Sequence, residues 1–136
     1  MAKIIYFFLI FNFSFFTVNI RAEALGSVKV LFPDTSKKII KYGLASFYAK
    51  KFHGRTTSNG ATFSSIKMTA ACNVIPMGSR VKVTNLRNGK SVVVVINDHL
   101  HRKTKRLIDL SKTAAQKLDF ISYGITRVKV EVLGRN

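Results

Sequence analysis

The stretch that decides the fold is residues 79–98, Ser-Arg-Val-Lys-Val-Thr-Asn-Leu-Arg-Asn-Gly-Lys-Ser-Val-Val-Val-Val-Ile-Asn-Asp. Its first part, residues 79–85, alternates polar and apolar side chains, which predicts a β-strand with Val81 and Val83 on one face. The Asn-Gly pair at 88–89 predicts a two-residue hairpin turn, because both residues tolerate a positive φ. The β-branched run at 91–96 then predicts a second strand that is buried on both faces.

Weaker patterns on either side extend this prediction to most of the chain. Residues 44–48 and 126–133 are typical of strands. Residues 111–118 are typical of a helix, and Asp109 is predicted to be its N-cap. Many short strands, Gly-rich turns and one or two short helices together predict a mainly β protein, most simply a small barrel.

One strand pattern occurs twice in the chain. Residues 79–83, Ser-Arg-Val-Lys-Val, reappear at 126–130 as Thr-Arg-Val-Lys-Val. Chance similarity between strands rich in lysine and valine is one explanation. A barrel built from two related halves is the other, and it agrees with the small-barrel prediction.

The N-terminus has the features of an export signal. Lys3 precedes an apolar run at 4–16, and Ala22-Glu23-Ala24 supplies the small residues that signal peptidase requires. We expect a signal peptide at 1–24, cleaved after Ala24 or, as the second choice, after Ala22. An uncleaved membrane anchor is the alternative, although the run is shorter than the roughly 20 residues of a membrane span.

The mature chain is expected to contain a basic leader and one domain. Residues 25–41 are expected to be extended or disordered, and residues 42–134 to form a single, monomeric domain. The whole sequence has 23 Lys and Arg residues against 6 Asp and Glu residues, a net charge of +17. Such a charge favours polyanionic partners, or it is simply a solvated lysine-rich surface. After export, anionic cell-envelope polymers are more accessible than nucleic acid, which is not an expected partner.

An ordered series of short motifs carries the functional information. It comprises Gly-Leu-Ala-Ser-Phe-Tyr at 43–48, His-Gly-Arg at 53–55, Thr-Ala-Ala-Cys at 69–72, Asn-Asp at 97–98 and Ile-Asp-Leu-Ser at 108–111. In this order the motifs resemble the rare lipoprotein A (RlpA) family over residues 42–133. The resemblance implies a six-stranded double-psi β-barrel that acts as an endolytic lytic transglycosylase on peptidoglycan glycan strands, without a cofactor. The first segment contains no cysteine, so we expect a periplasmic or cell-envelope protein that is not lipid-anchored.

Asp98 is the candidate catalytic residue. It follows the apolar run at 91–96, so it is expected to emerge at a strand end, and it aligns with the Asp of the family's Asn-Asp-Arg-Gly-Pro motif. One acid–base residue is enough for a lytic transglycosylase, because the 6-hydroxyl of the substrate attacks and leaves a 1,6-anhydro sugar. The family's other polar residues, Glu, Asp and His, are replaced here by Ala61, Ser64 and Cys72.

The residues after Asp98 affect its expected chemistry. His99, His101 and the basic residues at 102–106 are expected to lower the pKa of Asp98, whereas a general acid needs a raised one. Either histidine is an alternative carrier of the proton. Among the other carboxylates, Glu131 is expected to face solvent.

The resemblance also implies a set of substrate-binding residues, namely His53, Arg55, Thr57, Asn59, Gly60, Cys72 and Asn97. Tyr48 and Phe52 are expected to stack on sugar rings or to pack in the core. Cys72 has a second interpretation, as a small buried apolar residue. The spacing of the His and Cys residues does not predict a metal site.

Two further functions stay open beside the transglycosylase. The first is a non-catalytic peptidoglycan-binding module of the same fold, which has lost the acid–base residues. The second is a secreted cationic protein that acts through its charge on nucleic acid or anionic membranes, with binding that weakens steeply with salt.

Overall fold

The computed structural model describes residues 37–135, so the predicted signal peptide and most of the predicted leader lie outside the described residues. Six strands form the barrel: β1 (Ile40–Phe47), β2 (Thr69–Cys72), β3 (Ser79–Asn85), β4 (Ser91–Asp98), β5 (Ile108–Leu110) and β6 (Thr126–Arg135). One α-helix, α1 (Lys112–Lys117), and one 3-10 turn (Lys50–Phe52) complete it. Strand β1 thus begins two residues before the predicted start of the domain.

The strands close into a barrel in the order β1-β5-β2-β4-β3-β6. Pairs β1–β5 and β2–β4 are parallel, and the other four pairs are antiparallel. Exchanging β1 with β4, β2 with β5 and β3 with β6 leaves every pairing unchanged, so the topology has an internal two-fold symmetry. Val83 of β3 pairs with Val130 of β6, its own equivalent in the repeated sequence pattern. The repeat therefore coincides with the symmetry of the barrel.

The core fills the inside of the barrel, and this corrects one prediction. Val81 and Val83 are buried on one face of β3, as predicted. In β4, Val92 and Val94 point inward but Val93 is 45% exposed, so the run is not buried on both faces. A single closed layer packs only its inner face, and its outer face is left in water.

The β3–β4 hairpin is present, but its turn is longer than two residues. Asn85 N–H donates to the Lys90 carbonyl, and Gly89 N–H donates to the Asn85 carbonyl, which closes a loop of four residues, 86–89. Within this four-residue loop, only Gly89 has a positive φ, 76°. The Asn-Gly signal therefore identified the turn correctly but not its type.

Helix α1 lies where it was predicted, but its cap is a different residue. Ser111 is the N-cap, and its hydroxyl accepts from the Ala114 N–H at 3.3 Å. Asp109 belongs to β5 instead. Strand β5 has only three residues, too few for an alternating pattern to show in the sequence.

Glu131 was expected to face solvent, but the structure places it elsewhere. Its side chain is buried on β6, where it forms ion pairs with Lys38 at 2.8 Å and Lys129 at 3.5 Å. The hydrogen bond from Lys38 lowers the pKa of Glu131 more than any other contact. Among the described residues, no helix is long and apolar enough to cross a membrane.

Candidate functional site

A groove of about 600 Å³ opens where β1, β4 and β5 end. It is enclosed by the segment after β1 and by the connection between β4 and β5. Its lining is aromatic, cationic and acidic, and includes Tyr48, Phe52, Arg55, Asp98, His101 and Arg106. Asp98 is the last residue of β4, so the prediction that it emerges at a strand end is confirmed.

Four hydrogen-bond donors surround the Asp98 carboxylate. The Tyr48 hydroxyl donates to Oδ2 at 2.8 Å. Oδ1 accepts from the Ser58 hydroxyl, from the Ser58 N–H at 3.0 Å and from the His99 N–H at 2.9 Å. Charge-assisted bonds of this kind fix the orientation of a carboxylate as well as its charge.

These contacts determine the protonation state of Asp98. Partial burial is the largest single influence and would raise the pKa of Asp98, but the hydrogen bonds from Ser58, Tyr48 and His99 together lower it below its ordinary value. The prediction that the pKa of Asp98 is lowered is therefore confirmed. Hydrogen bonds lower it, and not the neighbouring cations as predicted. Burial, with the nearby carboxylate of Asp98, raises the pKa of Tyr48 far above its ordinary value, so Tyr48 keeps its proton.

A second carboxylate, Asp109, lines the same groove. Ala71 of β2 pairs with Asp98 on one side and with Asp109 on the other, so the two acids flank one residue of the barrel wall. The guanidinium of Arg106 donates to both Asp109 oxygens, at 2.8 and 3.0 Å. This bidentate pair holds Asp109 and raises the pKa of Arg106.

The loop at 53–63 brings Arg55 and Ser58 to the groove. Gly54 and Gly60 have φ values of 84° and 85°, which permit its sharp turns. The Thr57 hydroxyl donates to the Asn59 side-chain oxygen, which also accepts from the Ala61 N–H. Thr57 and Asn59 therefore shape the loop with their side chains.

Apart from Arg55, the predicted binding residues are not part of the groove lining. The Asn59 N–H contacts the carbonyl of Asn97, a buried residue beside Asp98. His53 does not line the groove, and its Nδ1 lies 3.2 Å from both the N–H and the hydroxyl of Ser65. Cys72 is fully buried in the hydrophobic core, so the prediction that it binds substrate in the groove is wrong. It is instead a small apolar core residue, which was the second interpretation of Cys72.

Three parts of the site are not evident from the sequence. Ser58 lies between the predicted binding residues Thr57 and Asn59, yet nothing in the sequence distinguishes it from its neighbours. The Arg106–Asp109 pair was missed because Asp109 was assigned to a helix cap. Tyr48 was considered only as a stacking or core residue, whereas its ring packs 4.4 Å from that of Phe63 and its hydroxyl reaches Asp98.

No carboxylate or imidazole occupies the positions where the resemblance implies the other catalytic residues. Ala61 is exposed, and its carbonyl accepts from the Thr57 N–H and hydroxyl. The Ser64 hydroxyl contacts the Ile66 N–H at 3.4 Å. Within residues 37–135, no three His, Cys, Asp or Glu side chains cluster closely enough to hold a metal ion.

Sequence comparison links the chain to enzymes of the cell wall. The family model described as "Lytic transglycolase" matches residues 40–130. The endolytic peptidoglycan transglycosylase RlpA of Pseudomonas aeruginosa (strain UCBPP-PA14) is 52% identical over 89 residues, 65% of this chain and 26% of that protein. The RlpA of Vibrio cholerae is 42% identical over 115 residues, 85% of this chain and 42% of that protein. The chain thus spans less than half the length of these curated relatives.

Structure comparison identifies the fold. The Streptomyces papain inhibitor aligns with a TM-score of 0.54 at 20% identity, over 71% of this chain and 96% of that one. An expansin of Clavibacter michiganensis aligns with a TM-score of 0.57 at 21% identity, over 70% of this chain and 50% of that one. At these identities the likeness concerns the fold alone, and it agrees with the predicted double-psi β-barrel. Together with the match of the family model to most of the chain, these findings show that the chain belongs to the RlpA-like family of double-psi β-barrel proteins.

Proposed function

We propose that this protein is an exported endolytic lytic transglycosylase that cleaves peptidoglycan glycan strands in the cell envelope and leaves 1,6-anhydro ends. In this proposal residues 1–24 direct export, and residues 42–134 act as a monomeric catalytic domain. The observation that carries the proposal is Asp98, an oriented carboxyl group in an open groove with aromatic and cationic walls. The activity named for the RlpA relatives supports the substrate class.

The proposed reaction uses Asp98 first as an acid and then as a base. Protonated Asp98 gives its proton to the glycosidic oxygen, and the bond from that oxygen to C1 breaks. The 6-hydroxyl of the same sugar attacks C1, and its proton passes to Asp98. The new C1–O6 bond closes the 1,6-anhydro ring, and the Asp98 proton is restored without water.

The pKa of Asp98 sets the condition for this cycle. In the open groove the carboxyl is ionised, because hydrogen bonds from Ser58, Tyr48 and His99 lower its pKa. A bound strand displaces water from the groove, and that desolvation acts in the opposite direction and raises the pKa. Arg55 and the loop at 53–63 are proposed to hold the strand, with Phe52 offering its ring to a sugar face.

A second function, a non-catalytic peptidoglycan-binding module, is favoured by a specific observation. The donors around Asp98 stabilise its charged form, and Ala61, Ser64 and Cys72 offer no second acid or base. Such a groove is suited to binding through fixed hydrogen bonds even where proton transfer is absent.

Digestion of peptidoglycan separates the two functions. The protein purified after export is incubated with sacculi and with naked glycan strands, and the products are identified by mass spectrometry. We expect 1,6-anhydro ends with the wild type and with Asp119→Asn, which removes an exposed carboxylate that is not part of the groove lining. Asp98→Asn is expected to lower the rate at least about a hundredfold. Full activity of Asp98→Asn would refute the role of Asp98, and intact glycan that retains the protein would identify the binding module.

A further inference from the structure

The two oxygens of the Asp98 carboxylate have unequal surroundings. Oδ1 accepts from the Ser58 hydroxyl and from two backbone N–H groups, that of Ser58 at 3.0 Å and that of His99 at 2.9 Å. Oδ2 accepts from one group in the described part of the chain, the Tyr48 hydroxyl at 2.8 Å. A carboxylate offers about four lone-pair sites, so about two on each oxygen. Oδ1 is therefore fully occupied, whereas Oδ2 keeps one free site.

The donors at Oδ1 are fixed by the backbone. His99 follows Asp98 directly, and its N–H also contacts the Ser58 hydroxyl oxygen at 3.3 Å. The Ser58 N–H belongs to the loop at 53–63, which is tied to β4 by a 3.4 Å contact of the Asn59 N–H. An N–H group cannot turn round and become an acceptor. A proton on Oδ1 must therefore displace one of these donors and leave it without its partner.

The donor at Oδ2 is held in place but can reverse its role. The ring of Tyr48 packs against those of Phe52 and Phe63, at centroid distances of 5.8 and 4.4 Å. The Tyr48 N–H donates to the Leu110 carbonyl of β5 at 3.0 Å. A hydroxyl group both donates and accepts, and its hydrogen rotates. Tyr48 can therefore stay bonded to Oδ2 whether Asp98 is ionised or protonated.

The other charged and titratable groups around Asp98 do not distinguish its two oxygens. Those that line the groove are Lys51, Arg55, His99, His101, Arg106 and Asp109. Arg106 and Asp109 are paired with each other, and His99 reaches the carboxylate only through its N–H. Among residues 37–135, none of these six side chains is hydrogen-bonded to Asp98. The choice of oxygen therefore depends on Tyr48, Ser58 and the backbone.

We propose that Oδ2 is the atom of Asp98 that gives and takes the proton, and that Tyr48 is the positioning residue that directs it. The inference rests on the proposed function for the reaction, and it also applies to protonated Asp98 without substrate. Tyr48 occupies one site on Oδ2, so the proton takes the other. The Oδ2–H bond breaks as the glycosidic oxygen gains the proton, and the proton of the attacking 6-hydroxyl then restores that bond.

Asp98→Asn tests the choice of oxygen at neutral pH, because its neutral amide has the shape of the protonated acid. The amide oxygen is expected at the Oδ1 position and the NH₂ group at the Oδ2 position. NMR should then show proton–proton contacts between the NH₂ group and the Tyr48 ring hydrogens beside the hydroxyl. The N–H groups of Ser58 and His99 should keep their bonds, detected as couplings to the labelled side-chain carbon of the new amide. Contacts of the NH₂ group with Ser58, and loss of these couplings, would overturn the inference.

Tyr48→Phe tests the positioning role, because it removes the hydroxyl and keeps the packed ring. NMR titration is expected to show that the pKa of Asp98 rises, since one donor is lost. The pH profile of kcat/KM for 1,6-anhydro product should move to higher pH. Its maximum is expected to fall about tenfold or more, because the two sites on Oδ2 become equivalent and the proton is no longer directed. Tyr123→Phe, at an exposed tyrosine outside the groove lining, is expected to change neither quantity.

The outcomes separate this inference from the proposed function. A raised Asp98 pKa with an unchanged maximum of kcat/KM in Tyr48→Phe would show that Tyr48 does not direct the proton. A fallen maximum without any shift of the pKa or the pH profile would mark Tyr48 as a merely structural residue and would also refute its role. If the wild type formed no 1,6-anhydro product, the proposed function would fail. The amide orientation in Asp98→Asn and the titration of Tyr48→Phe would still decide which oxygen carries the proton.

Discussion

The Asp98 carboxylate accepts hydrogen bonds from three places in the chain. They are the Tyr48 hydroxyl, the loop residue Ser58 and the N–H of His99. The resulting low pKa of Asp98 makes its ionised form a source of stability. Because the folded-state pKa lies below that of the unfolded chain, this stability is complete above the ordinary pKa of aspartate. It is lost as the pH falls through the folded-state value.

The first prediction concerns the hydroxyl of Ser58. Ser58→Ala removes one donor and leaves both backbone donors, so the pKa of Asp98 is expected to rise towards its ordinary value. Carbon-detected NMR titration of labelled aspartate measures the shift. Below about pH 4 the urea midpoint of the wild type is then expected to fall more steeply than that of the variant. Any cleavage activity is expected to extend to higher pH in the variant.

Ser122→Ala is the control for that titration, because Ser122 is an exposed serine outside the groove lining. It is expected to leave the pKa of Asp98 unchanged. An unchanged Asp98 pKa in Ser58→Ala would show that the hydroxyl does not stabilise the carboxylate. The Tyr48 hydroxyl and the two backbone donors would then be the cause of the low pKa of Asp98.

At the scale of single elements, strand β1 depends on a close approach to the chain just before β5. A Cβ atom placed on Gly43 would lie 2.6 Å from the Cβ of Leu107, too close for any real contact. Gly43→Ala must therefore shift the backbone of one of the two segments, because the Leu107 Cβ cannot rotate away. We expect a loss of roughly 1–3 kcal/mol in the free energy of unfolding, measured by urea denaturation.

Lys41→Ala on the same strand provides the comparison for Gly43→Ala. Lys41 is exposed, so its truncation is expected to change the free energy of unfolding by less than about 0.5 kcal/mol. If Gly43→Ala were as stable as Lys41→Ala, the two segments would be less closely packed than the structure indicates. The Leu107 N–H bond to the Leu44 carbonyl would then be the contact that holds the two segments together.

At the scale of the whole molecule, one buried side chain connects the two symmetric halves of the barrel. Asn85, at the end of β3, is fully buried. It donates to the Leu118 carbonyl at 2.9 Å and accepts from the Thr126 hydroxyl at 2.8 Å. Its side-chain oxygen also accepts from the Arg87 N–H in the hairpin loop. A single residue thus joins the hairpin, the end of α1 and the start of β6.

Asn85→Ala is predicted to destabilise the whole barrel rather than one element. It leaves the buried Thr126 hydroxyl without its partner, so we expect a loss of at least about 2 kcal/mol in the free energy of unfolding. The urea midpoint should fall while the slope of the transition stays the same. Asn88→Ala, at an exposed residue that donates to the same Leu118 carbonyl, is expected to cost less than about 1 kcal/mol. Equal losses in the two variants would contradict the role given to Asn85.

The sequence by itself determined the mainly β barrel, the hairpin, the helix at 112–117 and Asp98 as an acid at a strand end. Each of these depends on local periodicity, turn chemistry or an ordered series of motifs, which neighbouring residues in the chain express directly. Only the tertiary structure decided which side chains meet at the groove. Tyr48 and Ser58 reach Asp98 from 50 and 40 residues away, because closing the barrel brings the ends of β1 and β4 together. The same closure turned Cys72 and Val92 inward and left Val93 in water, since a single closed layer has one packed face.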